Sequence, residues 1–172
     1  MAVLFQTERL TVRNFRPEDA ADLAEILTDP DVTYFEPYEA FTAEACVQEA
    51  VKLSESRELF AVVLGEKVIG KLYFSARGFG SYEVGWTLHG AYQGKGYAAE
   101  SVRSLMEYAF REKGVRRVIA EIDTRNDRSV RLAERLGMRR EAEHMALFPR
   151  KENNTLFNNY YVYAILAEEF AG

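Results

Sequence analysis

Two glycines and a lysine stand close together in the middle of the chain, in the stretch Gln93-Gly94-Lys95-Gly96-Tyr97-Ala98. A strand pattern precedes this stretch, and an amphipathic helix pattern follows it at residues 98–114. Glycine permits positive φ angles and lets an anion approach the backbone, while the first amides of a helix lack partners within the helix. The stretch therefore predicts an anion-binding loop, and a plain strand-to-helix turn is the alternative.

The spacing of these glycines excludes two kinds of nucleotide-binding loop. A G-x-x-x-x-G-K-[ST] loop needs four residues between its glycines, but only three separate Gly90 from Gly94. Gly96 also stands after Lys95, where a hydroxyl would have to bind Mg²⁺. A dinucleotide-binding loop needs the spacing G-x-G-x-x-G within a βαβ unit, and the preceding strands resemble an antiparallel meander instead.

Length and composition predict one domain spanning residues 1–172, because a chain of this size buries a core of its own. No apolar run approaches the ~20 residues that a membrane span needs, and the first residues lack a secretion pattern, so we expect a cytoplasmic protein without membrane association. The single cysteine, Cys46, fits a reducing compartment. Cys46, His89 and His144 lie far apart in the sequence, so we predict no metal site, and neither histidine is expected to be catalytic.

The net charge of −5 is unevenly distributed. Acidic residues outnumber basic ones in residues 31–60, and basic residues outnumber acidic ones in residues 93–140. This pattern suits a cationic partner near the first region and an anion near the second, although solvated charged surfaces would explain it as well. The overall negative charge argues against nucleic-acid binding.

Hydrophobic periodicity predicts a mixed α+β fold, with helices on both faces of a mostly antiparallel sheet of about seven strands. Helices are expected at residues 16–29, from about Thr42 onward, at 98–114 and at 126–137. Strand patterns occupy LTVRNF, LFAVVL, KVIGKLYFSA, SYEVGWTL, RRVIAEID, RREAEHMALF and NNYYVYAIL.

Three segments resemble the GNAT superfamily of N-acetyltransferases. Residues 93–98 match its Q/R-x-x-G-x-G/A signature. The segments TERLTVRNFRPEDAADLAEIL and NDRSVRLAERLGMRREAE resemble the ribosomal-protein-alanine acetyltransferases of the RimJ and RimL type. The resemblance covers almost the whole chain, and it implies a three-layer GNAT fold in which strand 83–88 splays from strand 118–122.

This resemblance implies an acetyl-CoA site without a metal. The loop amides from Gln93 to Ala98 would bind the pyrophosphate of coenzyme A, and Asn126 with Ser129 would lie near pantetheine and the sulfur. An N–H near Gly85 to Thr87 would bond the thioester carbonyl, a contact worth roughly 3 to 4 kcal/mol in a transition state. Pantetheine would pair like an added strand with Gly85, Trp86, Thr87 and Leu88.

The resemblance also implies acetyl transfer to a neutral amine, because an ammonium has no lone pair. Glu83 is the predicted base, acting through water, and a solvent-facing residue or an ion pair is the alternative. Ser129 is the candidate acid, since Ala133 stands where relatives often carry a tyrosine. A thiolate leaving unassisted is also possible, because the thiol pKa is near 8.5. Asn126 would in addition cap the helix that follows it.

Aromatic residues and carboxylates in residues 29–41 suit a cationic amine, such as a peptide N-terminus, a polyamine or an aminoglycoside. The predicted acceptor-binding residues are Tyr34, Phe35, Tyr38, Tyr82 and Tyr160, and ordinary packing of these aromatics is the alternative. A homodimer is possible within the family. A non-catalytic module that senses coenzyme A or its thioesters is the alternative function.

Overall fold

A computed structural model of the chain describes residues 3–171. Its strands are β1 (Val3–Gln6), β2 (Leu10–Asn14), β3 (Leu59–Leu64), β4 (Lys67–Gly78), β5 (Ser81–Leu88), β6 (Arg117–Asp123), β7 (Arg139–Pro149) and β8 (Phe157–Leu166). They form one eight-stranded sheet in the order β1-β2-β3-β4-β5-β6-β8-β7. Strands β1 to β4 pair antiparallel in succession, β5 pairs parallel with β6, and β8 is antiparallel to both β6 and β7.

The helices are α1 (Ala20–Leu27), α2 (Pro30–Thr33), α3 (Ala43–Ser54), α4 (Tyr97–Glu107) and α5 (Asp127–Arg135). A π-helical segment at Tyr108–Glu112 continues α4. Between residues 3 and 171, no helix is long and apolar enough to cross a membrane. The mixed α+β class with a mostly antiparallel sheet is confirmed.

The structure adds two elements that the sequence patterns did not indicate. Strand β1 is an eighth strand, and it is too short and too exposed to give an alternating apolar pattern. Helix α2 occupies a stretch predicted as loop. Pro30 is pre-organised for the first helical turn, and the Asp29 carboxylate accepts a hydrogen bond from the Asp31 amide at 2.9 Å, so a single turn forms.

The chain packs as two compact units, Met1–Phe74 with Trp86–Leu105 and Ser75–Gly85 with Met106–Gly172. In the first unit, side chains of α1 and α3 pack with those of β3 and β4 in a core whose members include Phe15, Leu23, Ile26, Leu53, Ala61 and Val68. In the second unit, a hydrogen bond links β8 to α5: the buried Tyr163 of β8 donates to the Glu134 carboxylate of α5 at 2.9 Å. One domain spanning residues 1–172 stays a prediction.

Helix α3 begins at the position that the sequence predicted, and the Thr42 hydroxyl caps it by accepting a hydrogen bond from the Ala45 amide at 3.1 Å. We expect Thr42→Ala to lower the free energy of unfolding by about 1 kcal/mol, since that amide then has no acceptor. Urea unfolding measures the change. Thr42→Ser keeps an acceptor and serves as the control, and an equal loss in both variants would contradict the cap.

Candidate functional site

The glycine loop leads from the end of β5 into the first turn of α4, as the sequence predicted. Gly94 has a φ of 76° and Gly96 a φ of 84°, conformations that glycine adopts without strain. A Cβ atom placed on Gly94 would meet nothing within 4 Å, so the space beside the loop is open. An open loop followed by the amides and positive dipole end of an eleven-residue helix fits an anionic group such as pyrophosphate.

Side chains from the turn between β1 and β2 hold this loop in place. The Arg9 guanidinium donates to the backbone carbonyl of Lys95 at 3.1 Å and to the Glu100 carboxylate at 2.7 Å. The same guanidinium lies 4.5 Å from the ring centre of Tyr97. The Thr7 hydroxyl donates to Glu100 at 2.5 Å. We call Thr7, Arg9 and Glu100 the loop clamp.

The loop clamp also fixes the charge of Glu100 in the first turn of α4. Burial alone would raise the pKa of Glu100, but the hydrogen bonds from Thr7 and Arg9 outweigh burial and lower that pKa. Glu100 is therefore a carboxylate at neutral pH, and Arg9 balances its charge beside the loop.

The other end of the loop is tied to β5. The Gln93 side-chain amide donates to the carbonyl of Leu88 at 3.0 Å. His89 caps the short turn at Gly90–Tyr92 by accepting from the Ala91 amide at 3.0 Å, which is a structural role. Lys95 is exposed, and its ammonium lies 5.4 Å from the ring centre of Tyr92.

Residues of the segment between α2 and α3 meet β4 and β5 within the first unit. The Thr87 hydroxyl donates a hydrogen bond to the Glu36 carboxylate. Lys71, a buried residue of β4, donates to the Tyr38 hydroxyl oxygen at 2.7 Å. Burial lowers the pKa of the Lys71 ammonium, and the charges of Glu36 and Glu49 oppose this shift.

The predicted aromatic residues differ in their surroundings. The rings of Tyr34 and Phe35 are perpendicular, with their centres 4.8 Å apart, and Tyr34 is exposed. Trp86 is half-buried on β5. Burial raises the pKa of Tyr38, and the charge of Glu36 raises it further, so the Tyr38 hydroxyl stays protonated near neutral pH.

In the second unit, Asn126 and Tyr160 lie at the same end of β6. The Asn126 side chain accepts from the Ser129 amide at 3.2 Å, which confirms the predicted cap of α5. The backbone N–H of Asn126 donates to the backbone carbonyl of Asp123 at 2.8 Å, and Asp123 stands opposite Tyr160 of β8. Burial, followed by the charge of Asp123, raises the pKa of Tyr160.

Glu83 forms an ion pair with Arg77, which was the alternative to a catalytic role. Its neighbour Tyr82 is half-buried on the same strand. The parallel pairing of β5 with β6 has three residue pairs and ends at Glu83 opposite Ile119, although β6 continues to Asp123. A pairing that stops while the strand continues agrees with the expected splay.

Comparison with known proteins identifies the family. Residues 9–139 match the family model for an acetyltransferase (GNAT) domain. The chain belongs to the GNAT acetyltransferase family. The uncharacterized N-acetyltransferase YnaD of Bacillus subtilis (strain 168) is 34% identical over 168 residues, which cover 95% of this chain and 97% of that protein.

Two solved structures share the fold of this GNAT acetyltransferase. A GNAT-family acetyltransferase from Bacillus anthracis is 31% identical, with a TM-score of 0.88 over 98% of this chain and 100% of that one. RimL, an alpha-N-protein acetyltransferase solved in complex with coenzyme A, is 16% identical, with a TM-score of 0.82 over 96% of this chain and 98% of that one. At that identity, RimL shares the fold alone.

The prediction of an N-acetyltransferase enzyme is thus confirmed, and the family uses acetyl-CoA. No sequence pattern indicated a role for the loop clamp or for Lys71, although Thr7 and Arg9 both lie in the segment TERL. A lysine within the apolar run VIGKLYF was the available signal for Lys71. In the part of the chain that the structure describes, no three His, Cys, Asp or Glu residues are grouped to hold a metal ion.

The loop clamp predicts that Arg9 supports cofactor binding from outside the loop. We expect Arg9→Gln to weaken coenzyme A binding by about tenfold, because the Lys95 carbonyl loses a charged donor and Glu100 loses its counter-charge. Isothermal titration with coenzyme A measures the effect. Arg57→Gln removes an exposed arginine outside the clamp and should bind normally. An equal loss in both variants would assign the effect to net charge instead.

Proposed function

We propose that this GNAT acetyltransferase moves an acetyl group from acetyl-CoA to a primary amine by direct attack in a ternary complex. The observation that carries the proposal is the open glycine loop at the N-terminus of α4, with its shape held by the loop clamp. The amides from Gln93 to Ala98 would hold the pyrophosphate. Gly85 to Leu88 would pair with pantetheine, and Asn126 with Ser129 would lie beside it.

Bound acetyl-CoA supplies an activated thioester carbonyl, and the protein must supply a neutral amine. Glu83 is the proposed base, with the condition that its carboxylate is first released from Arg77. Ser129 is the proposed donor to the leaving thiolate. Ala133 is fully buried and has no polar atom in its side chain. It therefore cannot donate a proton to the thiolate, the role proposed for the tyrosine that relatives often carry at this position.

The acceptor is proposed to be a protein N-terminal α-amine or a small-molecule amine, bound with the help of Tyr34, Phe35, Tyr38, Tyr82 and Tyr160. Membership of the RimJ and RimL branch, a homodimer and a cytoplasmic location stay predictions. The absence of a metal and the absence of nucleic-acid or membrane partners also stay predictions.

A thiol-release assay tests the function. We expect the pure protein with acetyl-CoA to release coenzyme A thiol above background for at least one class among peptides with free N-termini, polyamines, aminoglycosides and amino acids. The matched control for each peptide is the same peptide with its N-terminus already acetylated, which cannot react. No release across the whole panel would contradict the proposed function.

Substitutions at two adjacent residues of the loop, Lys95 and Gly96, are predicted to change the affinity for coenzyme A to different extents. Gly96→Ala should weaken coenzyme A binding by roughly tenfold or more, because a Cβ at this positive φ costs about 1 to 2 kcal/mol. Lys95→Ala should change the affinity only a few-fold, since its amide remains. Gly65→Ala introduces the same kind of strain in a turn outside the loop and should leave affinity unchanged. If Lys95→Ala abolished binding, the ammonium would matter more than the amide.

A further inference from the structure

Glu36 connects the proposed acceptor segment with the proposed cofactor strand. It lies between α2 and α3, and its half-buried carboxylate accepts a hydrogen bond from the Thr87 hydroxyl of β5. Thr87 is itself buried, with 8% of its surface exposed. Glu36 is therefore an acid of residues 31–60 whose carboxylate contacts the strand that is proposed to receive the thioester.

A partly buried polar network, formed with Tyr38 and Lys71, also contacts the Glu36 carboxylate. Tyr38 and Glu36 are hydrogen-bonded through their side chains. Lys71 Nζ donates to the Tyr38 oxygen at 2.7 Å and lies 4.9 Å from the centre of the same ring. Lys71, on β4, is 8% exposed, so the network is built into the core side of the segment rather than on its surface.

The donors around Glu36 and Glu83 differ in charge. Glu83 is held by the Arg77 guanidinium in a charge-assisted pair. Glu36 is held by two neutral hydroxyls, on Thr87 and Tyr38. Hydroxyls can donate to a carboxylate and accept from a carboxylic acid, so Glu36 keeps hydrogen-bond partners in both protonation states.

We propose that Glu36 is a catalytic residue that binds the acceptor ammonium and takes its proton, while Thr87, Tyr38 and Lys71 position its carboxylate. This inference rests on the proposed acetyl transfer and names a second carboxylate for the step first assigned to Glu83.

The chemistry balances without any other reactant. An N–H bond of the ammonium breaks and its proton passes to Glu36, which leaves the lone pair on nitrogen. The nitrogen then forms a bond to the thioester carbonyl carbon, the C–S bond breaks, and the electron pair leaves with sulfur. The second nitrogen proton is transferred to the thiolate, and Glu36 returns its proton to water.

The first experiment compares Glu36→Gln with the wild-type protein, using the amine that releases most thiol in the panel. The substitution keeps the shape and an acceptor for Thr87 but removes the basic oxygen. We expect kcat/KM at neutral pH to fall roughly a hundredfold or more, with unchanged coenzyme A affinity by titration and unchanged thermal melting. Glu39→Gln, an exposed acid of the same segment, is the matched control and should keep its rate.

The outcomes separate this inference from the proposed function. A wild-type protein that is inactive on every amine refutes the function itself. An active wild-type protein with an equally active Glu36→Gln variant overturns only the role of Glu36, as does a loss of rate that Glu39→Gln shares. Loss of turnover in Glu83→Gln together with retention in Glu36→Gln would return the base to Glu83.

The second experiment tests the positioning network by measuring kcat and KM separately. The charged groups that act on this network are Lys71 on β4, with Glu49 and Lys52 on α3. Tyr38→Phe removes a hydrogen bond that orients the Glu36 carboxylate, so we expect kcat to fall roughly tenfold, while KM for the amine changes only a few-fold. Coenzyme A affinity and thermal melting should be unchanged. A wild-type kcat in this variant would overturn the positioning role.

Discussion

The guanidinium of Arg9 binds a carbonyl of the glycine loop and a carboxylate of α4 at the same time, and the conformation of the loop depends on both contacts. Gly94 and Gly96 make the loop conformation accessible, but glycine also makes it one of many conformations that the chain can adopt. The bond to the Lys95 carbonyl selects one of them. Order is therefore supplied from the turn between β1 and β2, far from the loop in sequence.

The loop clamp also resolves an electrostatic conflict at the start of α4. A carboxylate in the first turn of a helix interacts favourably with the helix dipole, which stabilises Glu100 where it stands. The same carboxylate would repel a pyrophosphate bound to the neighbouring amides. Pairing with Arg9 neutralises this carboxylate, so the helix keeps its acidic first turn without opposing the proposed pyrophosphate site.

Features determined by nearby residues were predictable, and features made by distant residues were not. The caps by Thr42 and Asn126 each involve an amide three residues away, so the local sequence contains them. Arg9 and Glu100 are 91 residues apart, and no pattern in either segment indicates the other. Strand β1 was missed for a related reason, because its pairing with β2 rather than its own periodicity makes it a strand.

The buried Lys71 has a physical use beside an acidic acceptor segment. Carboxylates attract an ammonium, but they also raise its pKa and so oppose the deprotonation that acetyl transfer requires. A lysine behind Tyr38 acts in the opposite sense when it is protonated, because a neighbouring cation favours the neutral amine. In the proposed site, Glu36 provides attraction and a place for the proton, while Lys71 limits how strongly the charged form is held. Attraction and deprotonation of the amine thus depend on two opposite charges, on Glu36 and on Lys71, that are both hydrogen-bonded to Tyr38.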